Sequence, residues 1–438
     1  MSRRLLSLIT AFACIVGIAA CSENLESGAG CPVLCPQPPI DLRDTLIDAV
    51  VVDSSIAGFP AIGFEETLLL ANRGDTLDTR VIVRFDSLPT EFTPANVATP
   101  EPISVVDSLT LTMRVVYPLT SLSSFTLRAY DVDTLLPAGS AADTAVATLA
   151  PLFRPDRLLG TMTVVPGSLA DSTIRMTLSG PALLAKITGP PESRRLRVGL
   201  AIEAVEAGQT ASVRLAGQGA VNMLSLRFRV SPDTLITPRV LLPLSRTPTD
   251  AFTAAALADY QVAFRGTPPP PPGTIEVGGV PGRRTYLQFV LPNNIIDSTH
   301  IVRAALLLTQ APNRASAART DTVVVLPEVI VADSSITNLE RLMRFTSRTF
   351  TIPGVGPAAV PELRLVPADS GTRTVEMAAL VAAWRTVTRP GVPRALVLRA
   401  ADESAVAGSI LFFSREAAEG VRPRLRLTFA PRPEFGLP

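Results

Sequence analysis

The stretch Ser108-Leu109-Thr110-Leu111-Thr112-Met113-Arg114-Val115-Val116 decides the fold class of this chain. Apolar residues fall on every other position, and serine, threonine and arginine lie between them. Successive side chains of a strand point to opposite faces of a sheet, so the pattern predicts a half-buried strand. Residues 225–230 show the same alternation, and residues 80–85 form an apolar run of strand length.

Most of the chain consists of similar short runs separated by turn residues, which is a β pattern. Proline is abundant at 40 residues, and aromatic residues make up only 5%, which suits short strands joined by irregular loops. Helical spacing is clear only at residues 375–384 and weaker at 178–187. We therefore predict an all-β chain of two tandem antiparallel β-sandwich (jelly-roll-like) domains with few short helices.

The same plan occurs twice along the chain. Residues 79–86 lead through a loop to residues 106–112, and in the second half residues 284–291 lead to residues 296–302. Each half continues with further strands, a short helical segment and a closing strand. The repeat places a boundary near residues 236–239.

This boundary predicts β-sandwich domain 1 at residues 40–236 and β-sandwich domain 2 at residues 237–431, followed by a tail at 432–438. The five-proline run at 268–272 then lies inside the second domain, between its first and second strands. Five consecutive prolines are stiff and extended, so an interdomain linker is the alternative interpretation.

The N-terminus has the three parts of a secretory signal. Met1–Arg4 is basic, residues 5–18 are mostly apolar, and the segment closes with Ile18-Ala19-Ala20-Cys21. This ending resembles the bacterial lipobox, which implies a signal peptide over residues 1–20 and a lipid anchor on Cys21 that holds the chain on a membrane. By the same resemblance, a serine at position 22 favours the outer membrane. An ordinary secretory signal with a chance cysteine is the alternative.

Residues 21–39 are rich in Ser, Gly, Pro and Glu and predict a flexible tether. Cys31 and Cys35 lie within it. An exported chain meets an oxidising compartment, which favours a local disulfide; two free thiols are the alternative. The only histidine of the chain, His300, is distant in sequence and no second cysteine pair exists, so we expect no zinc site.

Three segments of the second half, in this order, resemble the DNRLRE domain, a β-sandwich module of secreted bacterial proteins. The first is the strand Leu287-Gln288-Phe289, which has a closer counterpart in residues 83–86 of the first half. The second is residues 375–384, ending in Trp384. The third is residues 412–417, which include Ser414-Arg415-Glu416 and precede the closing strand. Some members of this family are carbohydrate-binding modules of polysaccharide lyases, including alginate binders. The first half matches mainly in its opening strands.

The residues of these segments also have a physical interpretation of their own. Trp384 lies on the apolar face of its predicted helix, so we expect it in the core, with a sugar platform as the alternative. Ser414, Arg415 and Glu416 are predicted to fix a strand-to-loop corner through hydrogen bonds. The alternative is that the Arg–Glu pair meets a carboxylate sugar.

The sequence offers little catalytic chemistry. It contains neither a G-x-S-x-G elbow nor an S-x-x-K string. A Ser-His-Asp triad would need His300, for which a partly buried structural role in a strand is the better interpretation. We predict no resident metal or cofactor. Calcium at Asp131 with Asp133, or at Asp75 with Asp78, is the weaker alternative to turn chemistry.

These observations predict a non-catalytic cell-envelope lipoprotein, a surface-tethered binding module for polysaccharide. A structural spacer or partner-docking subunit of an envelope complex is the alternative, and a polysaccharide-degrading enzyme is the least favoured. The scarcity of Tyr and Trp weakens the sugar hypothesis, since Tyr117, Tyr130, Tyr260 and Tyr286 are the only tyrosines. A net charge of +1 argues against nucleic acid as a partner. The ligand and its site are not predicted.

Overall fold

The computed structural model describes residues 42–94, 98–116, 124–134, 142–165, 172–204, 210–217, 224–231, 239–244, 258–332, 336–352, 354–386, 393–403 and 405–431. The predicted signal peptide, tether and tail lie outside these ranges. The predicted lipidation of Cys21 and the disulfide of Cys31 and Cys35 therefore also fall outside the described residues.

The first half, with the strands that precede it and those that lead to the second half, contains fifteen strands among the described residues. They are β1 (Arg43–Ile47), β2 (Val50–Phe59), β3 (Thr67–Asn72), β4 (Asp78–Phe85), β5 (Glu91–Phe92), β6 (Glu101–Pro102), β7 (Val105–Arg114), β8 (Phe125–Asp131), β9 (Leu158–Val164), β10 (Thr173–Thr177), β11 (Leu196–Ala204), β12 (Ala211–Ala216), β13 (Ser225–Ser231), β14 (Arg239–Leu241) and β15 (Asp259–Arg265).

Twelve further strands follow in the described part of the second half. They are β16 (Thr274–Gly278), β17 (Gly282–Phe289), β18 (Thr299–Ala311), β19 (Val323–Ile330), β20 (Thr346–Ser347), β21 (Thr349–Ile352), β22 (Gly356–Ala359), β23 (Leu363–Leu365), β24 (Gly371–Glu376), β25 (Ala395–Ala400), β26 (Ser409–Phe413) and β27 (Arg424–Pro431).

Helices are short. The α-helices are α1 (Ala142–Leu149), α2 (Gly180–Thr188), α3 (Asn293–Ile296), α4 (Leu339–Leu342) and α5 (Ala378–Thr386), and single 3₁₀ turns cover Ala150–Leu152, Pro155–Arg157 and Pro191–Ser193. All the strand ladders are antiparallel, so the predicted all-β class with few short helices is confirmed.

Residues 108–114 of the alternating stretch at 108–116 belong to β7. Leu109, Leu111 and Met113 are buried, while Ser108, Thr110 and Thr112 are turned away from the core. Burial therefore follows the period of two that a strand requires. The pairing of β7 with β10 and β13 fixes this register from both sides.

Two sheets form the first half. One contains the order β12-β3-β4-β11-β8-β9, and the other contains β10-β7-β13-β14. Apolar side chains from both sheets, together with Leu183 and Ile187 of α2, form one continuous core. This arrangement is a sandwich, in which each sheet buries one face against the other.

The second half repeats this strand order. The path β26-β16-β17-β25-β19 corresponds to β12-β3-β4-β11-β8, and the path β24-β18-β27-β1 corresponds to β10-β7-β13-β14. Here β18 also pairs with β26 through Gln310 and Ala311, which joins both layers into one sheet of twelve strands. Side chains from both layers again form a single core.

Two pairs of strands are exchanged between the halves. We call β1 and β2 the first arm; they precede the first half but pair with β27 and β17 of the second. We call β14 and β15 the second arm; they precede β16 but pair with β13 and β4 of the first half. Each arm occupies the same place in the sheets that receive it. The predicted domains, 40–236 and 237–431, therefore do not coincide with the hydrogen-bonded sheets.

The five-proline run joins the two halves. It lies between β15, which belongs to the sheets of the first half, and β16, which begins the second. The connection between β2 and β3, residues 60–66, crosses between the halves in the same way. Beside these crossings, Leu69, Leu77, Val280 and Ala407 share a small apolar cluster that both halves contribute to.

The two helical segments were predicted at nearly the right places. The prediction at 178–187 corresponds to α2, whose N-terminus is capped by the Ser179 hydroxyl accepting from the Ala182 N–H. The prediction at 375–384 was wrong in its first residues, because Val375 still pairs with Leu306 of β18 and only from Ala378 does the backbone become helical.

Candidate functional site

A groove lies where the connection between β2 and β3 meets the second half. It consists of two adjoining depressions of about 540 and 670 Å³, and both are lined by Pro60, Phe64, Arg284 and Arg344. These volumes lie in the range of small-molecule sites in proteins. The groove therefore depends on the first arm, since the segment that leads out of that arm forms one wall.

Arg284 of β17 anchors the floor of the groove. Its Nε and Nη2 donate to the two carboxylate oxygens of Glu403, each at 2.7 Å, and its Nη1 donates to the Met343 carbonyl. The Phe59 ring lies 4.4 Å from the centre of the guanidinium. A guanidinium held by a bidentate carboxylate, a carbonyl and an aromatic face has little freedom to move.

A second ion pair lies in the same lining. Arg399 Nε donates to Glu328 Oε1 at 2.8 Å, and the Thr346 hydroxyl donates to the other oxygen of Glu328. Glu328 is buried and Arg399 is partly exposed. The pair brings β25 and β19 together and presents guanidinium N–H groups and a carboxylate side by side.

Two aromatic rings border this polar floor. Phe64 is 47% exposed and Phe345 is 38% exposed, which is high for side chains of this size. Both lie beside Arg344, which pairs with Glu340 at 2.7 Å. An exposed ring next to fixed polar pairs can receive a ligand that has an apolar face and polar edges.

Four charged residues of the lining have no ion-pair partner within the described part of the chain: Arg341, Arg348, Glu66 and Asp402. The lining of the two depressions together contains five arginines and five acidic residues, so its charges balance. This balance indicates a site that recognises hydrogen-bonding geometry rather than net charge. Glu328 and Glu403 are both held by guanidinium groups, so neither is placed as a free general acid or base.

Glu65 belongs to the connection, residues 60–66, that forms the groove wall. It is buried, and its Oε2 accepts a hydrogen bond of 2.5 Å from the Gly63 N–H. Burial, opposed by hydrogen bonds from backbone N–H groups and slightly assisted by the nearby Asp259, raises the pKa of the Glu65 carboxyl to about 8. Its neighbours Phe64 and Glu66 both line the groove, so Glu65 fixes the segment that carries them.

Trp384, predicted in the core, is half-buried on α5. It packs against the core of the second half, with its ring centroid 5.4 Å from that of Phe289. Phe289 belongs to the first, and Trp384 to the second, of the three segments that resemble the DNRLRE domain. The two aromatic positions of the motif are therefore in contact with one another.

Ser414, Arg415 and Glu416 lie at the corner that follows β26. The Ser414 N–H donates to the Gly273 carbonyl at 2.9 Å, and Arg415 Nε donates to Glu416 Oε1 at 2.8 Å. The Arg415 side chain also donates to the Val51 carbonyl of the first arm. The corner thus contacts the exchanged arm, and the groove lining does not include it.

The expectation that His300 is partly buried was wrong, because His300 is exposed. It lies in β18 next to the buried Thr299, so the alternation of the strand turns it outward. Of the tyrosines, Tyr130, Tyr260 and Tyr286 are buried, which removes them as exposed sugar platforms, and Tyr117 lies outside the described residues.

The carboxylates considered for calcium contact the chain's own cations. Lys186 Nζ lies 2.9 Å from Asp131 Oδ2 and 3.1 Å from Asp133 Oδ2, and Arg195 Nε lies 2.7 Å from Asp133 Oδ1. Asp78 pairs with Arg80, and Asp75 lies 3.7 Å from Arg265. No group of three or more His, Cys, Asp or Glu residues in the described ranges is placed to hold a metal ion.

Comparisons with known proteins do not assign this fold to a family. No family model matches the chain, and no curated protein matches it. Solved structures of T=1 particles derived from infectious bursal virus and of infectious bursal disease virus strain Gt align over 90% of this chain and over 76% and 79% of theirs. Both are 12% identical, with TM-scores of 0.13 and 0.12, a likeness too low to carry an argument.

Sequence reasoning did not find the groove. Its residues come from positions 59–67, 284, 328, 338–348 and 399–403, which no local pattern connects. One signal was present: Phe64 stands in a turn-rich segment, Pro60-Ala61-Ile62-Gly63-Phe64, outside any alternating run.

No helix among the described residues is long and apolar enough to cross a membrane.

Proposed function

We propose that this chain is a non-catalytic lipoprotein of the cell envelope, exported and anchored by lipid on Cys21, whose groove binds polysaccharide. The observation that carries the binding part is the groove itself, with Phe64 and Phe345 exposed beside fixed Arg–carboxylate pairs. The lipobox-like N-terminus supports the anchor, and the serine at position 22 supports the outer membrane. The resemblance to DNRLRE modules supports polysaccharide as the ligand class.

The chemistry of the groove suits a sugar. Vicinal hydroxyl groups both donate and accept, so they can bridge a guanidinium and its partner carboxylate, as at Arg284 with Glu403 and Arg399 with Glu328. The faces of Phe64 and Phe345 can receive the apolar face of a sugar ring. A peptide ligand would find little strand edge to pair with, because β20, the strand of the lining that ends the path of the sheet, has only two residues.

A thermal-shift screen tests the proposal. The chain from Ser22 onward, without lipid, is melted with neutral and acidic polysaccharides, with and without calcium. Ligand that binds only the native state raises the melting temperature in a concentration-dependent way. We expect a rise with one glycan class, lost in Phe64→Ala and in Arg348→Ala.

Arg364→Ala is the matched control, since Arg364 is an exposed arginine of the second half that lies outside the groove lining. It should keep the full shift. A flat response of the wild type across the panel would remove polysaccharide as the ligand. A shift that survives both groove substitutions would leave a sugar-binding protein with a different site.

The alternative, a structural spacer or partner-docking subunit of an envelope complex, is favoured by one observation. Each half receives an arm from the other, so strand pairing ties the two halves together, as a spacer would require. Crosslinking in the intact envelope tests this role: a reproducible protein neighbour together with a flat glycan screen would support it.

A further inference from the structure

The first arm is a separable element with its own receiving surface. Within the described residues it leaves the rest of the fold through a single connection, residues 60–66, and its ladders are formed with the second half. We call the edges of β17 and β27 that pair with this arm the slot. Ala49, Val50 and Phe59 of the arm are buried there among second-half side chains.

Charge makes the fit specific. Each acidic residue of the arm meets an arginine of the slot side: Asp44 lies 2.7 Å from Arg426, Asp48 pairs with Arg422, and Asp53 accepts from the backbone N–H of Arg415. A partly buried hydrogen bond of 2.8 Å between the Ser55 and Thr285 hydroxyl groups helps to fix the register of β2 on β17. The slot therefore recognises this arm by its sequence as well as by its backbone.

A second copy of the chain carries an identical arm. If it enters the slot of the first copy, every arm–slot contact is preserved and only the course of residues 60–66 changes. Exchange of an identical element is a low-cost route to dimers, and short hinge segments favour it. Within one molecule the arm is present at a high effective concentration, so the monomer prevails in dilute solution.

We propose that a second copy of this chain can supply the first arm to the slot, and that two copies thereby close into a symmetric arm-exchanged dimer. The interface is then the arm–slot contact already present in the monomer. The exchange is reciprocal, since each copy both gives an arm and receives one.

Cysteine pairs report where the arm lies. The chain lacking residues 1–21, with Cys31→Ser and Cys35→Ser, receives either Val52→Cys in the arm or Gln288→Cys in the slot, two positions that face each other in the ladder. The two single variants are mixed at high concentration, cycled through mild denaturant, and oxidised. We expect a disulfide-linked species of twice the monomer mass that contains one copy of each.

The matched control replaces Gln288→Cys by Val302→Cys, an exposed position of the same sheet that does not face Val52. Its yield measures random collision. One chain carrying both Val52→Cys and Gln288→Cys should close within the monomer in dilute solution, which checks the register.

The wild type supplies an independent readout. After refolding at rising concentration, light scattering on a sizing column should show a growing fraction at twice the monomer mass. Monomer at every concentration, with heterodimer no higher than in the control pair, would overturn the proposal. A dimer whose Val52→Cys and Gln288→Cys copies do not cross-link above the control would overturn it as well, because its contacts would then lie elsewhere.

Discussion

Asp53 and Arg415, 362 positions apart in the chain, are joined by a hydrogen bond of 2.7 Å from the Arg415 N–H to Asp53 Oδ2. Asp53 belongs to the first arm, and Arg415 belongs to the corner that the family resemblance singled out. The corner therefore contributes to holding the N-terminal strands. Its conformation and the seating of the arm depend on one another.

Asp53→Ala should lower the free energy of unfolding by about 1 kcal/mol, because the hydrogen bond between the partly buried Asp53 carboxylate and the Arg415 N–H is lost. Chemical denaturation checks this through the midpoint at unchanged slope. Asp48→Ala is the matched control: its pair with Arg422 is more exposed, so we expect a smaller loss, roughly 0–0.5 kcal/mol. Equal losses at the two positions would contradict the role given to Asp53.

Asp86→Asn should be among the most damaging single changes in the first half. The carboxylate accepts from Arg84 at 2.8 Å and from Arg197 at 3.0 and 3.2 Å, and all three side chains are buried. Burial also lowers the pKa of Arg84. Asn removes the charge of the carboxylate that both guanidinium groups contact, and breaking a buried ion-pair network of this kind costs about 3–5 kcal/mol.

Asp78→Asn is the control for that prediction. Asp78 pairs with Arg80 at 3.0 Å in a partly exposed position, where an ion pair contributes at most about 1 kcal/mol. Urea unfolding of both variants measures the difference. If Asp86→Asn lowers the free energy of unfolding no more than Asp78→Asn does, the buried ion pairs of Asp86 do not contribute more to stability than the partly exposed pair.

Glu65 should make the protein less stable as the pH rises. Burial raises the folded-state pKa of this carboxyl to about 8, above its ordinary value of 4.5. Between these values the native state binds more protons than the unfolded state, so stability falls from about pH 4.5 to about pH 8 and is then level. The largest effect expected is a few kcal/mol, at about 1.4 kcal/mol per pKa unit.

Glu65→Gln should remove this part of the pH dependence, since the amide keeps an oxygen for the Gly63 N–H and does not ionise. Thermal unfolding of both proteins between pH 4.5 and 8.5 is the measurement. The stability of the variant relative to the wild type should increase steadily as the pH rises. Parallel pH profiles would show that Glu65 is not held in its protonated form.

Calcium should leave the unfolding midpoint of the wild type unchanged, because Lys186 and Arg195 already contact the carboxylates of Asp131 and Asp133. Lys186→Ala should cost about 1–2 kcal/mol, as two neighbouring carboxylates lose a shared cation. In that variant we expect millimolar calcium to restore part of the loss. A calcium-induced rise in the wild type itself would contradict the assignment of these carboxylates to the chain's own cations.

The individual strands could be predicted because their signal is local. The alternation at 108–116 sets which side chains of β7 are buried whatever its partners are. Partner choice is not local: β2 pairs with β17, and β15 takes the corresponding place on β4, although β2 precedes β4 in the chain. The preference for β17 depends on contacts such as that of Asp53 with Arg415, which only the tertiary structure brings together.

The same limit applies to the site. Trp384 and the corner at 414–416 could be singled out because each is a short string of distinctive residues. Arg284, Glu403 and Phe64 carry no such string, and they become a groove only when β17 and the segment after the first arm meet. His300 shows a smaller failure of a related kind, since residues 299–305 do not alternate between apolar and polar and so leave the inward face of their strand undefined.

The exchange of arms has a consequence for biogenesis. Ribosomes and export machinery deliver a polypeptide from its N-terminus, so β1 and β2 emerge first, yet β17 and β27 emerge more than two hundred residues later. The earliest strands must therefore wait, unpaired, while the intervening sequence is delivered. A holding chaperone could bind these unpaired strands during that interval. A nascent chain that ends before β27 would leave β1 without the strand it pairs with.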